Sequence, residues 1–420
     1  MAGTGRRGLR DRLGFPALAG RRSLAAAQVA DSLGDGMFIP FGVVYFLKTT
    51  SLPLHTVGLS LTVAGLLALP AVALSGTLID RFSPAPMVIT GNLVSAVAFA
   101  CYLTVAHAWQ LVTFALLAAA GARLFGAANL ALVSDAADPA ERLLWVAFLR
   151  MASNAGFGLG GLLGSAAVDT GTQTGYHLIA VFQAASCLLA GVLVFAWSRR
   201  RQAPRREVRA DPPAPAMTAS RGGYRTAIAD RRLVLLAATN FLFVLCVMAL
   251  EVLVPVYLIR DLHQRAWLSG ALFTINTAIV ATGQTIAARA VQKRHPGRVL
   301  QAAAVIWGSS FLLMCALGAA PRSVAIPGAV LAVVLYTAAE LIQNPTLTAQ
   351  VIATAPGALR GRYLAVYQAS WALGQAVAPG LLTWLLTLGR TWPWLALAAI
   401  CAMIVLVLSP QTSLQQPGPP

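Results

Sequence analysis

The sequence predicts an all-α membrane protein with twelve transmembrane helices in two six-helix halves, and three observations lead to that prediction. Of the 420 residues, 58% are apolar and only 11% carry a charge, whereas a soluble domain has about 25% charged residues. The apolar residues form twelve runs long enough to cross a hydrocarbon layer of ~30 Å as helices. Basic residues concentrate in alternate connections between these runs, which is typical of membrane topology.

Taken in chain order, the predicted elements fall into five segments. Residues 1–23 are a basic arm, and residues 24–198 hold six apolar runs, at 24–47, 55–79, 86–106, 109–133, 144–167 and 176–198. Residues 199–232 are rich in Arg and Pro, which predicts a solvated linker between the halves. Residues 233–409 hold six more runs, at 233–258, 267–289, 299–319, 324–349, 363–386 and 392–409, before a polar tail at 410–420.

The basic residues also predict the orientation. With the N-terminus inside, 24 of the 31 Lys and Arg residues lie in inner segments and five lie in outer loops. The positive-inside rule then places both termini and the linker in the cytoplasm of a multi-pass protein of the cell membrane. The net charge of +17 would suit a nucleic-acid binder, but this placement argues against nucleic acid as a partner.

The first apolar run carries two acids, Asp31 and Asp35, near its middle. An acid at the bilayer centre costs on the order of 2.5–3.5 kcal/mol even on the lenient insertion scale. Residues four apart share one face of a helix. That face is therefore expected to look into protein or a wet cavity.

Four further ionisable residues lie inside predicted spans: Arg123, Arg150, Glu251 and Glu340. Two interpretations stay open for them. Asp31 with Arg123, and Glu340 with Arg150, could be static ion pairs, which would make both arginines buried cations. Alternatively, the acids could exchange protons, because an intramembrane acid is a functional hypothesis by default. Asp35 and Glu251 favour the second interpretation, since neither has a basic residue at a matching depth.

An internal repeat relates the two halves. The sequence interval from Arg142 to Gly156 recurs between Arg360 and Gly374, and Gly160-Gly161 corresponds to Ala378-Pro379. Two halves of six spans in the same orientation are related by an axis along the membrane normal.

Several motifs resemble those of the major facilitator superfamily. Gly76-Thr-Leu-Ile-Asp80-Arg81 is similar to its loop 2–3 motif, although Ser83-Pro84-Ala85 stands where the family has a glycine and two basic residues. Leu33-Gly34, with Pro40 further on, resembles the first-helix motif, and Arg123 resembles the buried arginine of the fourth helix. The glycines from Gly156 to Gly164 resemble the antiporter motif of the fifth helix, with Gly161 in place of its proline. The resemblance covers residues 20–410 and points to the drug:proton antiporter branch.

The resemblance implies roles for these residues. Helices one, four, seven and ten would line a central cavity, which makes Asp31, Asp35, Glu251 and Glu340 candidates for proton coupling. Gly76, Asp80 and Arg81 would form a cytoplasmic latch against the start of the eleventh helix, near Gly361. The small residues Gly156, Gly160, Gly161, Gly164, Gly374 and Pro379 would either tighten the interface between halves or serve ordinary helix packing. Candidates for the substrate cavity are Asn129, Asn240, Tyr257 and Tyr336.

The function expected from these observations is proton-coupled efflux of small lipophilic or cationic molecules by alternating access. The first alternative is a proton-coupled uptake symporter for a sugar or another metabolite, and a further alternative is a membrane sensor without transport. We expect no enzyme activity, no cofactor and no metal, since the five cysteines lie in apolar spans without metal-ligand spacing. The expected partners are the substrate, protons and the lipid bilayer, for a monomeric protein.

The distribution of basic residues generates a first prediction, about topology. A reporter fused within 212–220 should be cytoplasmic and one within 171–174 external, because one predicted span, 176–198, separates the two sites and the basic linker lies on the inner side. The measurement is the paired activity of reporters that work on only one side of the membrane. Both fusions reporting from the same side would contradict the twelve-span topology.

Overall fold

The computed structural model describes residues 20–136, 142–201, 229–356 and 359–414, which form twelve helical rods, α1 to α12. Residues 1–19 of the basic arm, residues 202–228 of the linker and the tail beyond 414 lie outside this description, as do residues 137–141 and 357–358. In the first half, α1 comprises Arg22–Phe38, a 3-10 turn at Ile39–Phe41 and Gly42–Thr49, and α2 comprises Leu54–Leu67 and Leu69–Phe82. The others are α3 (Pro84–Cys101), α4 (Ala108–Ala136), α5 (Arg142–Asp169) and α6 (Gln173–Arg201).

The second half repeats the pattern. Its first helix, α7, comprises Arg231–Met248, a π-helical segment at Ala249–Leu253, Val254–Val256 and a second π-helical segment at Tyr257–Asp261. It is followed by α8 (Ala266–Val291), α9 (Pro296–Leu317), α10 (Arg322–Thr354), α11 (Arg360–Leu388) and α12 (Trp392–Leu414). The predicted all-α membrane fold is confirmed, while the five segment boundaries stay predictions.

Prolines account for the breaks in α1, α2 and α7. Pro40, Pro70 and Pro255 each lack a backbone N–H and cannot continue the ladder of α-helical hydrogen bonds. Pro40 lies in the 3-10 turn, Pro70 follows the break in α2, and Pro255 lies between the two π-helical segments. Such irregular turns are frequent at functional sites. The 3-10 turn interrupts α1 within its length, and the first π-helical segment does the same in α7.

Ten of the described helices are long and apolar enough to cross a membrane. The two rods that fall short are α1 and α5. Asp31 and Asp35 reduce the hydropathy of α1, and α5 contains Arg150 with several glycines. The protein is a multi-pass membrane protein, and its two less apolar helices are those packed inside the bundle against each other.

The helices run alternately between two ends of the bundle. One end, here called the basic end, holds Arg22, Arg201 and Arg231, and the other, the opposite end, holds Thr49, Asp169 and Ala266. Within the first half, α1 packs on α5 and α6, and α3 packs on α4 and α6. Within the second, α9 packs on α10 and α12, and α7 packs on α11. The halves meet where α2 packs on α11 and α5 packs on α8.

The contacts between halves concentrate toward the opposite end. Gly380 donates its backbone N–H to Thr62 Oγ1 at 2.8 Å, which joins α11 to α2. Thr274 Oγ1 donates to the carbonyl of Gly158 at 3.0 Å, which joins α8 to α5. The 3-10 turn of α1 also contacts the first π-helical segment of α7. At the basic end, by contrast, Gly76 has no side-chain neighbour within 4 Å of a Cβ position. The halves are closed at the opposite end and apart at the basic end.

Three predicted interface glycines do not lie between the halves. A Cβ on Gly160 would collide with the carbonyl of Leu33, and one on Gly164 with that of Met37, so both face α1 of the same half. Gly156 faces Ser32 of α1 in the same way, with a Cβ distance of 3.1 Å. Of the two interpretations left open by the sequence, these three glycines match ordinary helix packing within one half, because small residues at this spacing serve any close helix pair.

Gly374 likewise packs within its own half, against Val244 of α7. Gly161 and Pro379 do lie at the boundary between halves. A Cβ on Gly161 would be 3.3 Å from Phe273 Cδ1 of α8. The carbonyl of Pro379 would be 2.7 Å from a Cβ on Gly58 of α2.

The close approach of α5 to α1 generates a second prediction, with a matched control. Gly160→Ala should lower the free energy of unfolding by about 1–3 kcal/mol, the usual cost of overpacking, because the new Cβ meets the backbone of α1. Gly126→Ala in α4 meets nothing within 4 Å and should be neutral or stabilise by up to about 1 kcal/mol. The measurement is the thermal midpoint of each purified variant by fluorescence-detected gel filtration. Equal midpoints would contradict the packing.

Candidate transport site

Asp31 and Asp35 line a cavity inside the first half, here called the N-half pocket. Its volume is about 270 Å³, and its other polar lining residues include Asn92, Ser95 and Gln183. Gln183 of α6 donates from Nε2 to Asp35 Oδ1 at 2.8 Å. Asp31 is only 6% exposed. The predicted acidic face of α1 thus looks into protein, and Gln183, which sequence reasoning missed, positions one of its carboxylates.

Glu251 and Glu340 line a second cavity, here called the interface pocket, between α5 of the first half and α7, α8 and α10 of the second. Its volume is about 130 Å³. Asn276 of α8 donates from Nδ2 to Glu340 Oε2 at 2.9 Å and to Thr337 Oγ1 at 3.0 Å. Glu251 lies in the first π-helical segment of α7. The pocket is also lined by Phe157 and Phe273, whose rings are tilted by 41° with their centroids 5.0 Å apart.

The four carboxyl groups are together called the acid series. Asp31 and Asp35 of α1 line the N-half pocket, and Glu251 of α7 and Glu340 of α10 line the interface pocket. The series therefore runs from the first half into the second across the closed α1–α7 contact. Among the described residues, no Arg, Lys or His forms an ion pair with any of the four. A buried charge without a partner is costly, so each carboxyl is able to accept a proton or a cation.

The two predicted ion pairs are absent from the described residues. Arg123 in α4 is partly buried, its Nε has no hydrogen-bond partner, and it forms no ion pair with Asp31. Arg150 is exposed, so the prediction of a buried cation there is wrong. The physical reason is that Arg150 lies toward the basic end, where the halves are apart and its side chain is exposed. Glu340 bonds to Asn276 instead.

Asn240 and Tyr257 were predicted in the substrate cavity, and the structure places both between helices. Asn240 is fully buried and donates to Ser370 Oγ of α11 at 2.9 Å. Tyr257 is also fully buried and donates from its hydroxyl to the carbonyl of Met314 of α9 at 3.1 Å. The prediction is wrong for both residues, which join helices of one half.

The other two predicted cavity residues lie closer to the acids. Tyr336 lines the interface pocket and donates to the carbonyl of Val247 at 2.6 Å. Asn129 of α4 donates to Gln28 Oε1 of α1 at 2.8 Å. Gln28 in turn donates to Ser153 Oγ of α5 at 2.8 Å. Asn129 therefore joins helices α1, α4 and α5 on the basic-end side of Asp31.

The predicted cytoplasmic latch of Gly76, Asp80 and Arg81 stays a prediction. Gly76 and Gly361 both have open space around the Cβ position, and Arg81 stacks over the ring of Phe82 at 5.3 Å. The side chain of Asp80 lies outside the description. Tyr363, at the start of α11, donates to Asp230 Oδ2 at 2.6 Å. That hydrogen bond holds the pKa of Asp230 below its usual range.

A latch that the sequence did not suggest closes the opposite end. Asp169, the last residue of α5, accepts from Nε and Nη2 of Arg265. Asp169 Oδ1 also accepts from the backbone N–H of Ala266, the first residue of α8, at 3.0 Å. A carboxylate at a helix N-terminus is favourable because it satisfies a free amide and meets the positive end of the dipole. Asp169 and Arg265 stand at span ends, where sequence patterns predict only loops.

Comparison with known families matches the chain to one family over most of its length. The family model described as Major Facilitator Superfamily matches residues 24–379. A multidrug resistance protein MdtH of Edwardsiella ictaluri is 25% identical over 394 residues, which cover 92% of each chain. The multidrug resistance protein MdtH of Photorhabdus laumondii is 30% identical over 133 residues, which cover 32% of this chain and only 33% of that protein.

Solved structures show the same fold at low sequence identity. The crystal structure of the nucleoside transporter NupG superposes with a TM-score of 0.76 at 12% identity. The superposition covers 94% of this chain and all of that one.

The opposite-end latch generates a third prediction. Asp169→Asn should shift the population toward states open at the opposite end by roughly fivefold, because losing a helix-capping carboxylate costs about 1 kcal/mol. The measurement is the distance distribution between spin labels at Gly171 and His263, which flank the α5–α8 contact. Lys48→Gln removes a charge at the same end without touching the latch and should change nothing. Identical distributions for Asp169→Asn and the parent protein would contradict the latch.

Proposed function

Because the chain belongs to the Major Facilitator Superfamily, we propose that it is a proton-coupled efflux transporter for small lipophilic or cationic molecules. The acid series carries this proposal. Four carboxyl groups on α1, α7 and α10 line pockets in and between the two halves, and no described basic side chain neutralises them. A transporter that exchanges protons for cations needs such groups, since the same carboxylate can be neutralised by either.

We further propose that the basic end faces the cytoplasm, as the positive-inside rule predicts. The described conformation is then inward-facing, since the halves are apart at that end and closed at the other. Cargo from the cytoplasm or the inner leaflet would reach the interface pocket directly. The N-half pocket adds an apolar surface that includes Phe99, Phe125 and Ile39 beside its two carboxylates, which suits a cation with an apolar body.

The proposed cycle uses the position of Glu251. This residue sits in the π-helical segment that contacts the 3-10 turn of α1, at the point where the halves touch. A proton or cargo that neutralises the series would remove repulsion between Asp35 on α1 and Glu251 on α7. Binding shifts the balance between inward- and outward-facing states only by its differential affinity for the two. A change of charge at this contact would supply that difference.

The direction of transport is supported by the names of the relatives, which are multidrug resistance proteins. The alternative with the same fold, uptake of a metabolite by proton symport, makes the opposite prediction in one assay. In everted vesicles, the cytoplasmic face is outside and an imposed pH gradient that is acid inside drives accumulation of an exported cation. A symporter would release its substrate from the same vesicles. A sensor would bind without flux.

A fourth prediction tests the acid series with ethidium, a lipophilic cation, in these everted vesicles. Asp35→Asn mimics the protonated carboxyl at nearly the same size, so the protein should fold and exchange ethidium downhill. Uphill accumulation should fall on the order of tenfold, as expected for an intramembrane acid with a coupling role. Glu251→Gln should behave similarly. The measurement is gradient-driven ethidium fluorescence together with proton release on adding ethidium to the purified protein.

The matched control is Asp261→Asn, which alters an acid of α7 at the far end of that helix and should leave accumulation unchanged. Full uphill transport by Asp35→Asn, Glu251→Gln and Glu340→Gln alike would refute proton coupling through the series.

A further inference from the structure

A further cavity belongs neither to the acid series nor to the interface between halves. It lies at the basic end, between the end of α8 and the start of α9, and has a volume of about 540 Å³. Its rim carries Lys293, Arg294 and Arg298, and no acidic residue lines it. Its wall consists of apolar side chains of α9 and α10, among them Val299, Ala302 and Ile342, and Ala302 is exposed on the outer surface. This cavity is called the basic pocket below.

The basic charges of this pocket have no counter-charge within the described residues. Lys293, Arg294 and Arg298 form no ion pair there. The one described acid at this end of the second half is Asp230, which is already bonded to Tyr363 and to the amide of Arg232. Three clustered cations around a cavity repel one another, so the arrangement favours an anion.

The local backbone and His295 also point to an anion. His295 precedes the 22-residue helix α9, whose N-terminus has no side-chain cap, and a helix N-terminus favours negative charge. His295 lines the pocket, and its two ring nitrogens are buried without a hydrogen-bond partner in the described part of the chain. A ligand with several acceptor oxygens would satisfy them.

We propose that the basic pocket binds the phosphate of an anionic membrane lipid. The phosphate oxygens would be held by Lys293, Arg294 and Arg298 with His295, and the acyl chain would lie on the apolar wall that leads into the hydrocarbon layer. Basic pockets between transmembrane helices are suited to such head groups. A soluble phosphate compound shares the charge but has no group for the apolar wall, which is why the lipid is the occupant that fits the whole cavity.

The experiment is lipid binding to the purified full-length protein by native mass spectrometry, a readout that does not depend on transport. The probes are phosphatidylglycerol, phosphatidylcholine with the same acyl chains, and soluble glycerol phosphate. The combined variant Lys293→Gln, Arg294→Gln and Arg298→Gln should bind phosphatidylglycerol about 100-fold more weakly, equivalent to about 2.8 kcal/mol. The control replaces Arg199, Arg200 and Arg231 by Gln, which removes equal charge from the same end, and should keep wild-type affinity.

A second variant tests the cavity itself without changing charge. Ala302→Trp places a large side chain in the apolar part of the pocket and should also weaken phosphatidylglycerol binding, which keeps the proposal testable if the triple variant does not fold. Equal weakening in the control variant, or equal binding of phosphatidylcholine, would overturn the proposal in favour of general surface attraction. Binding of glycerol phosphate as tight as that of phosphatidylglycerol would overturn the lipid as occupant.

Discussion

The arrangement of this bundle depends on the cost of holding carboxyl groups away from water. Asp31, Asp35, Glu251 and Glu340 lie on helices that would otherwise be free to turn their faces to lipid, and the cost of an exposed acid in hydrocarbon prevents it. The acids therefore determine which faces of α1, α7 and α10 point inward. Their neighbours follow from this constraint: Gln183 and Asn276 each donate one hydrogen bond to a carboxylate, which orients the group without neutralising it. A group held in this way remains able to gain and lose a charge.

The same constraint explains where the regular geometry of α1 and α7 is interrupted. Glu251 occupies a π-helical turn and Asp35 lies just before the 3-10 turn of α1, so the two helices are irregular where they touch. Irregular turns widen or tighten the backbone locally, which allows a charged side chain to be turned into a pocket while the rest of the helix keeps its packing. The contact between α1 and α7 is thus built from irregular helical segments.

Much of the fold could be predicted from the sequence, because twelve apolar runs and an uneven distribution of Lys and Arg follow directly from the physics of a bilayer. The inward orientation of the acids could be predicted for the same reason. Partners across the bundle could not. A pair of Arg150 with Glu340 was one open interpretation because both lie inside apolar spans, but a span position says nothing about the separation of the halves in a given conformation. Tyr257 is a cavity candidate in the sequence because it is an aromatic residue with a polar hydroxyl inside a span, but the two π-helical segments of α7 change which residues share a face of that helix. The contact between Asp169 and Arg265 could not be predicted, because two residues so far apart in the chain form no local sequence pattern.

The contacts that close the opposite end are of two kinds, one ionic and one uncharged, and they differ in their exposure to solvent. At the opposite end, the guanidinium of Arg265 is 75% exposed while the carboxylate of Asp169 is 14% exposed, and an ion pair open to water is weakened by dissolved salt, with a screening length of about 10 Å at 0.1 M. The deeper contacts, between Thr62 and Gly380 and between Gly158 and Thr274, are uncharged and are not affected in this way. Dissolved salt on that one side of the membrane therefore weakens only the outermost contact between the halves, and the uncharged contacts beneath it keep their strength in dilute and saline media alike.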